Sequence, residues 1–342
     1  MNGDIWQKLL QLETSDSVGL WHHKLFGRHL NQRRILEITS AARQAREFFR
    51  NAANSNSSVR PVLTFYGVAS LSRALVLLFK PDMGETSLTP SHGLTTLEWQ
   101  KKLLGKIPES LLGIEALEVQ ISSGLFFDLL QNTDNFICVH TRSSAVDWGI
   151  SYDVPERGST IRLGELLSKL PDVASYLPQD RARSTLPVGE LTYSKENGFR
   201  ASINASFELL KSWGWDEGFS VTGTSNMASL TCSAKTFGEK TPQFTHAYVD
   251  KIFGSIPSLH IAAPFQSEVR YSQVAITYII SYFLGMLARY FPTQWTALYS
   301  GSKGDVLWPS ISAAQRYVET TFPELIIELI NYQVTRKQTS EK

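Results

Sequence analysis

Arg60-Pro61-Val62-Leu63-Thr64-Phe65-Tyr66-Gly67-Val68-Ala69-Ser70-Leu71-Ser72-Arg73-Ala74-Leu75 is the stretch that decides the fold. Pro61 pre-sets the first turn of a helix. The run stays apolar on nearly every face as far as Phe79, and Pro81 disfavours helical geometry in the residue before it. A helix that is apolar all round belongs in a core. Gly67, Ala69 and Ser70 leave room for another helix to approach while Phe65 and Tyr66 fill the flanks, as tight bundle packing requires. Upstream, Ile35, Ile38, Ala42, Ala45, Phe49 and Ala52 recur at threes and fours, with Arg34, Arg43, Arg46 and Arg50 largely between them. Gln32 to Ala53 is therefore an amphipathic helix, and the short polar side chains of Asn54 to Ser58 break it.

Downstream, a loop from Asp82 to Ser91 leads to His92-Gly93, and a helical stretch is expected over Leu97 to Leu104. Val119, Ile121, Leu125 and Phe127 alternate around Gly124, so Leu117 to Phe136 reads as extended. Arg162 to Leu170 reads as a short helix stopped by Pro171. From Leu186 to Phe265, Gly, Ser, Thr and Asn gather around apolar runs, predicting strands and turns, with a hairpin turn at Thr222 to Asn226. Helix returns from Tyr271 to Tyr290 and stops at Pro292. Two more are expected near Ser310 to Thr320 and Pro323 to Val334, the second with Pro323 in its first turn. The expected fold class is α+β, mainly helical. It comprises an N-terminal helical region (1–145), a mixed, β-rich middle section (146–265) and C-terminal helices (266–342) packing back on the N-terminal bundle.

Composition narrows the function classes. With 42% hydrophobic and 19% charged residues, the chain lies outside the range of global disorder. Lys+Arg 33 against Asp+Glu 32 gives a net charge of +1, so no overall field steers it towards nucleic acid or an anionic membrane. Cys138 and Cys232 allow one bridge at most, and a reduced cytosolic setting is the simpler reading. Met1 to Leu10 lacks a basic segment followed by an apolar one, so no secretory signal is expected. Val274 to Leu287 is shorter than the ~20 apolar residues that span a bilayer, so a buried helix and no membrane contact are expected.

Three segments together resemble the YaaC-like family of bacterial proteins: Arg60 to Leu75, Ser91-His92-Gly93-Leu94, and Gly285-Met286-Leu287-Ala288-Arg289-Tyr290 followed by Pro292 and Trp295. The resemblance implies an architecture more than an activity. The first two segments also resemble the core of HEPN domains, helical nucleotide-binding bundles of toxins and defence proteins, over about Gln32 to Leu104. HEPN ribonucleases carry an arginine followed by four to six residues and a histidine, so that one side chain orients phosphate while the other does acid-base work. None of the seven histidines has an arginine at that spacing. An enzyme is therefore not favoured, and the nuclease reading survives only if Arg73 and His92 meet in space.

His92 otherwise reads as a capping or core histidine in a turn entering a helix. Arg289 complements the negative end of its helix dipole, and with Tyr66 it is a candidate binding residue. Arg28, Arg33 and Arg34, beside Trp21, His22, His23 and Phe26, form the densest basic patch and a candidate phosphate contact. Tyr290, Trp295 and Trp308 are expected to form the packing lid of a helix corner. No metal set, phosphate loop or nucleophile elbow is present, and no cofactor is expected. The favoured function is a non-catalytic, cytoplasmic bacterial binding or interaction protein of the YaaC-like class, an accessory component of a defence system, with a protein partner or a second copy of itself. The alternative is a HEPN-type RNA-directed nuclease or nucleotide-binding toxin acting through Arg73 and His92.

Overall fold

Asn31 accepts the backbone N–H of Arg34 at 2.9 Å and so starts the helix that opens the bundle. In a computed structural model that describes residues 3–82, 84–136, 151–178, 184–244, 249–250 and 258–340, that helix follows α1 (Gly3–Leu9) and α2 (Ser15–Phe26) and is α3 (Gln32–Ala53). α4 (Arg60–Phe79) packs antiparallel along it, as the hydrophobic spacing predicts. α4 is long and apolar enough to cross a bilayer, yet 72% of its most apolar window is buried inside the protein.

The chain then forms β1 (His92–Leu97), α5 (Trp99–Lys102), α6 (Ile107–Leu112), β2 (Glu118–Gly124), α7 (Leu125–Asn132), β3 (Thr160–Arg162), α8 (Leu163–Lys169) and α9 (Pro171–Ala174). β1, β2 and β3 make an antiparallel sheet in that order. Two expectations are corrected here. His92-Gly93 enters a strand, because Leu94 and Thr96 pair with Ile121 and Val119, and only Trp99–Lys102 of the expected helix forms. The expected extended run ends at Gly124, whose φ of 140° turns the chain into α7, where Leu125, Phe126, Leu129 and Leu130 bury one face.

The β-rich section contains β4 (Thr185–Ser194), β5 (Gly198–Ile203), α10 (Phe207–Ser212), β6 (Ser220–Gly223), β7 (Ala228–Cys232), α11 (Ala234–Phe244), β8 (Val249–Asp250) and β9 (Ser258–Ala262). Its antiparallel strands lie in the order β6-β7-β5-β4-β9-β8, and β6 and β7 form the expected hairpin, closed by Thr224 N donating to Met227 O at 2.9 Å. This sheet has its own core, in which Phe199 stacks on Phe237 with ring centroids 4.4 Å apart. Leu163 to Val173 lie instead in the main helical core.

α12 (Gln273–Tyr290), α13 (Pro292–Tyr299) and α14 (Trp308–Ser340) return to the bundle. Every residue from Gln273 to Ala288 is buried. Pro292 ends one helix and starts the next at a bend of 107°. Pro323 does not begin a helix as expected but lies inside α14. A proline there forfeits a backbone bond at ~3 kcal/mol, which burial of Phe322, Leu325, Ile326, Leu329 and Ile330 offsets. Glu319, four residues before it, joins α14 to α4. Its carboxylate accepts from Arg60 Nε at 2.7 Å, Thr64 Oγ1 at 3.0 Å and Gln315 Nε2 at 2.7 Å.

Candidate functional site

Tyr66 and Arg73 are seven residues apart on α4, two turns, and so share a face. They are half-buried on a helix that is otherwise almost entirely interior. His92 reaches this face from the start of β1, which is bent by a register shift between His92 and Leu94. Gly93 makes the bend possible: its φ is +80°, and a Cβ there would stand 2.7 Å from Phe126 N. Two phenols from α12 fix the bulge, Tyr278 donating to His92 O at 2.9 Å and Tyr282 to Leu94 O at 3.0 Å. A bulge re-aims the side chain beside it. The His92 ring meets Phe65 edge-on at 4.9 Å, with Tyr66 at 6.4 Å and Tyr282 at 6.3 Å.

Arg289 comes from the last turn of α12 and donates from Nη1 to Tyr66 Oη at 2.6 Å. Its approach depends on Gly285, one turn earlier, where a Cβ would lie 2.8 Å from Phe65 Cβ. Because the Tyr66 oxygen accepts from Arg289, its own proton is free to donate elsewhere. Phe48 backs the Tyr66 ring at 5.6 Å, and the Arg289 guanidinium lies 5.0 Å from the centroid of the exposed Tyr290. Tyr290 therefore stands outside the expected lid, whereas Trp295 is buried against Trp308 at 5.8 Å as expected.

Tyr66, His92 and Arg289 thus come together, while Arg73 stands two turns along α4 from Tyr66 and is paired with Glu85. Burial, then the charges of Arg289 and Arg73, hold the His92 imidazole below its ordinary pKa of 6.5, so it is neutral at pH 7. Burial pushes the Tyr278 phenol upward and that of Tyr282 to about 12, so both keep donating. With its folded pKa depressed, His92 binds a proton more readily in the unfolded chain. Stability falls as pH drops below 6.5 and levels off once the folded ring has also titrated. His22, buried and likewise shifted down, adds a loss of the same sign. His92→Asn is expected to lessen, and not abolish, the drop in urea midpoint between about pH 7.5 and about pH 5.5; an unchanged drop contradicts this account of the ring.

The arginines of the basic segment form ion pairs. Arg28 pairs with Asp82 at 2.8 Å and Arg33 with Glu37 at 3.1 Å. Arg34 is buried, donating to Leu77 O at 2.9 Å and Lys80 O at 3.1 Å at the end of α4 while pairing with Glu37. Glu37 in turn accepts from Glu85 N at 3.1 Å, and Glu85 meets Arg73 Nη1 at 3.2 Å. The segment docks the loop that brings Glu85 to the site. Glu85 itself carried no sequence signal beyond being an acid in that loop; the spacing of Tyr66 and Arg73 did carry one.

Among the described residues no group of three His, Cys, Asp or Glu side chains could hold a metal ion. Cys138, His140 and His246 lie outside the described residues. Burial pushes the Cys232 thiol to about 11, away from reactivity.

No curated protein and no solved structure matches the chain. The family model described as YaaC-like Protein matches residues 22–330, a span that holds α3, α4, the sheet of β1 to β3, the β-rich section, α12 and the residues Tyr66, Arg73, His92 and Arg289. On that match the chain belongs to the YaaC-like family.

Proposed function

We propose that this protein is a non-catalytic, cytoplasmic binding protein, and that an anionic group of its ligand enters between Arg73 and Arg289. The observation that carries the reading is that Arg289, bonded to Tyr66, and Arg73, on the same face of α4 as Tyr66, both act by their charge on the half-buried His92. Among the described residues no carboxylate pairs with Arg289, and Glu85 alone pairs with Arg73, through a half-exposed contact. An isolated contact of that kind is worth ~0–1 kcal/mol and yields readily. A role as an accessory component of a defence system, with a protein partner or a second copy, is part of the same proposal.

The charge of Arg73 acting on His92 also favours a second reading, the HEPN-type RNA-directed nuclease or nucleotide-binding toxin suggested by the likeness over Gln32 to Leu104. Against it, a general base needs a partner to fix its ring, and no described carboxylate or carbonyl bonds either His92 ring nitrogen. Of the Arg28, Arg33 and Arg34 side chains that would follow an RNA backbone, Arg34 is held in a buried ion pair with Glu37 and on the carbonyls that end α4.

One experiment separates the readings. Thermal shift of the purified chain is measured with phosphate, sulfate and citrate, alongside incubation with single-stranded RNA. Anion stabilisation is expected in wild type and should weaken about tenfold or more in apparent affinity in Arg73→Ala and Arg289→Ala, the scale of losing a charged hydrogen bond. RNA should stay intact. RNA cleavage abolished by His92→Ala overturns the non-catalytic reading, and anion effects indifferent to both arginines overturn the site.

A further inference from the structure

Among the described residues the two sheets end in four edges, and three of them are guarded against pairing with another chain. β8 is two residues long, Val249–Asp250, and ends on an acid. β3 is three residues long and ends on Arg162, which pairs with Glu118 at 2.8 Å. At β1 the carbonyls of His92 and Leu94 already accept the phenols of Tyr278 and Tyr282. Short length, charge and cover are the devices by which folded sheets keep other chains off their edges. β6 has none of these at its free edge. Ser220-Val221-Thr222-Gly223 carries no charge and no proline, and it pairs with β7 from Ser220 opposite Thr231 to Gly223 opposite Ala228 without a bulge. Ser220, Thr222 and Gly223 are exposed.

Which backbone groups face outward follows from the hairpin. Thr224 N donates to Met227 O at 2.9 Å, so these two form a hydrogen-bonded pair. In an antiparallel ladder such pairs alternate with pairs whose N–H and C=O point away from one another. Counted back along the unshifted register, Thr222 and Ser229 bond across the hairpin, and Val221 and Leu230 do not. Val221 therefore turns its N–H and its C=O to the open side of β6. Its side chain is half-buried against the core of this sheet, which fixes the residue in place.

We propose that β6 is the docking edge for a second copy of this chain, the two β6 strands pairing antiparallel about a two-fold axis at Val221. This rests on the part of the reading above that gives the protein a partner, and it names the partner and the surface. Symmetry dictates the register, because in a two-fold antiparallel pair one residue must face its own counterpart. Within Ser220–Thr222 only Val221 offers both its backbone groups. Val221 then exchanges two N–H···O bonds with Val221 of the second copy, and Ser220 stands opposite Thr222 of the second copy on either side of the axis.

Charge permits this pairing. Like charges directly opposite one another destabilise a strand pair. The nearest charges along the chain, Asp216 and Glu217, are carried by that register towards Asn226 and Ser225 of the second copy, which are uncharged. The net charge of +1 leaves the two copies without mutual repulsion. A foreign strand would be selected by side-chain pockets along the edge, and Ser220 and Thr222, small and exposed, build none. Beside the edge, Leu209 of α10, which packs on β6, and Met227 at the hairpin are 37% and 57% exposed, apolar surface that a paired copy would cover. So short an edge with two apolar side chains would bury less than ~1,200 Å², the range of weak, transient pairs.

Sedimentation velocity of the full chain from about 1 μM to about 1 mM tests the proposal. A monomer–dimer equilibrium with a Kd on the order of 10 μM is expected. Val221→Pro should raise that Kd about tenfold or more and still fold, because the N–H it removes lies outside the ladder with β7. Two double variants at positions exposed in the monomer test the register. Ser220→Lys with Thr222→Lys sets lysine opposite lysine on both sides of the axis and should raise the Kd about fivefold or more. Ser220→Lys with Thr222→Glu sets lysine opposite glutamate and should return the Kd to the wild-type value or below it. Both should keep the wild-type urea midpoint. A chain that stays monomeric throughout, or a dimer indifferent to Val221→Pro and to the lysine pair, overturns the proposal. A dimer that the lysine pair weakens and the lysine–glutamate pair does not restore overturns the axis at Val221. The anion-binding reading, measured by thermal shift, stands or falls separately from all of these.

Discussion

Asn135→Leu is expected to lower stability by about 4 kcal/mol, among the largest effects of any single substitution in this chain. Asn135 is fully buried and lies between α7 and the segment leading to α12. Its amide nitrogen donates to Asp153 O at 3.0 Å and Arg270 O at 2.9 Å, and its oxygen accepts from Ser272 N at 2.9 Å. Leucine has similar bulk and no polar atom, so the substitution opens no large cavity but strands the buried Ser272 N–H and takes the donor from the part-buried Asp153 and Arg270 carbonyls. Each orphaned group costs about 1–3 kcal/mol. Backbone strain adds to this, because Asn135 has φ of +43°, a conformation that asparagine tolerates better than leucine. Ser272 is also the N-cap of α12, its side chain accepting from Ala275 N at 3.2 Å, so the damage reaches the helix that carries Arg289. The midpoint of urea unfolding reports the loss. A drop corresponding to less than about 1 kcal/mol would mean that the three bonds contribute little.

Asn135 also shows why sequence reading stops where it does. Its partners lie 18 and 135 or more residues away, and nothing in the Thr133 to Phe136 segment announces them. What was legible was local. The amphipathic period of Gln32–Ala53 and the proline-bounded apolar run of Arg60–Phe79 carry their own boundaries, and the structure keeps them within a residue. The errors occurred where tertiary contacts outweigh local preference. Leu97, expected in a helix, becomes strand because Glu118 of β2 is there to pair with it, and α14 continues through Pro323 because its flanking residues are buried on both sides. The site follows the same division. Tyr66, Arg73, His92 and Arg289 could each be singled out as polar or charged side chains beside apolar helices. Their meeting depends on a strand bulge and on how closely two helices 200 residues apart approach, neither of which is written in any one segment.

That approach gives the second large effect: Gly285→Val is expected to cost about 3 kcal/mol and to abolish anion binding, while Gly285→Ala costs about 1 kcal/mol and weakens binding. Two terms oppose one another. Glycine inside a helix is about 1 kcal/mol less favourable than alanine, so on propensity alone Gly285→Ala would stabilise. Packing decides the sign. A Cβ at 285 would stand 2.8 Å from Phe65 Cβ, 3.3 Å from Phe65 Cγ and 3.4 Å from Pro61 O, and these atoms belong to the backbone and stem of α4, not to a flexible tip. Phe65 is fully buried, edge-on to His92, Tyr278 and Tyr282, so it cannot turn aside. The helices must therefore separate, at the ~1–3 kcal/mol typical of overpacking. Arg289 lies one turn beyond Gly285, and its 2.6 Å bond to Tyr66 passes out of hydrogen-bond range once α12 moves outward by about 1 Å. Stability and binding should consequently fall together at this position, whereas Arg289→Ala should weaken binding about tenfold or more with little change in the urea midpoint, because Arg289 is exposed. Measuring both variants distinguishes a glycine that sets the distance between two helices from one that merely occupies a helix: retention of anion binding in Gly285→Val would show that the α4–α12 spacing does not build the site.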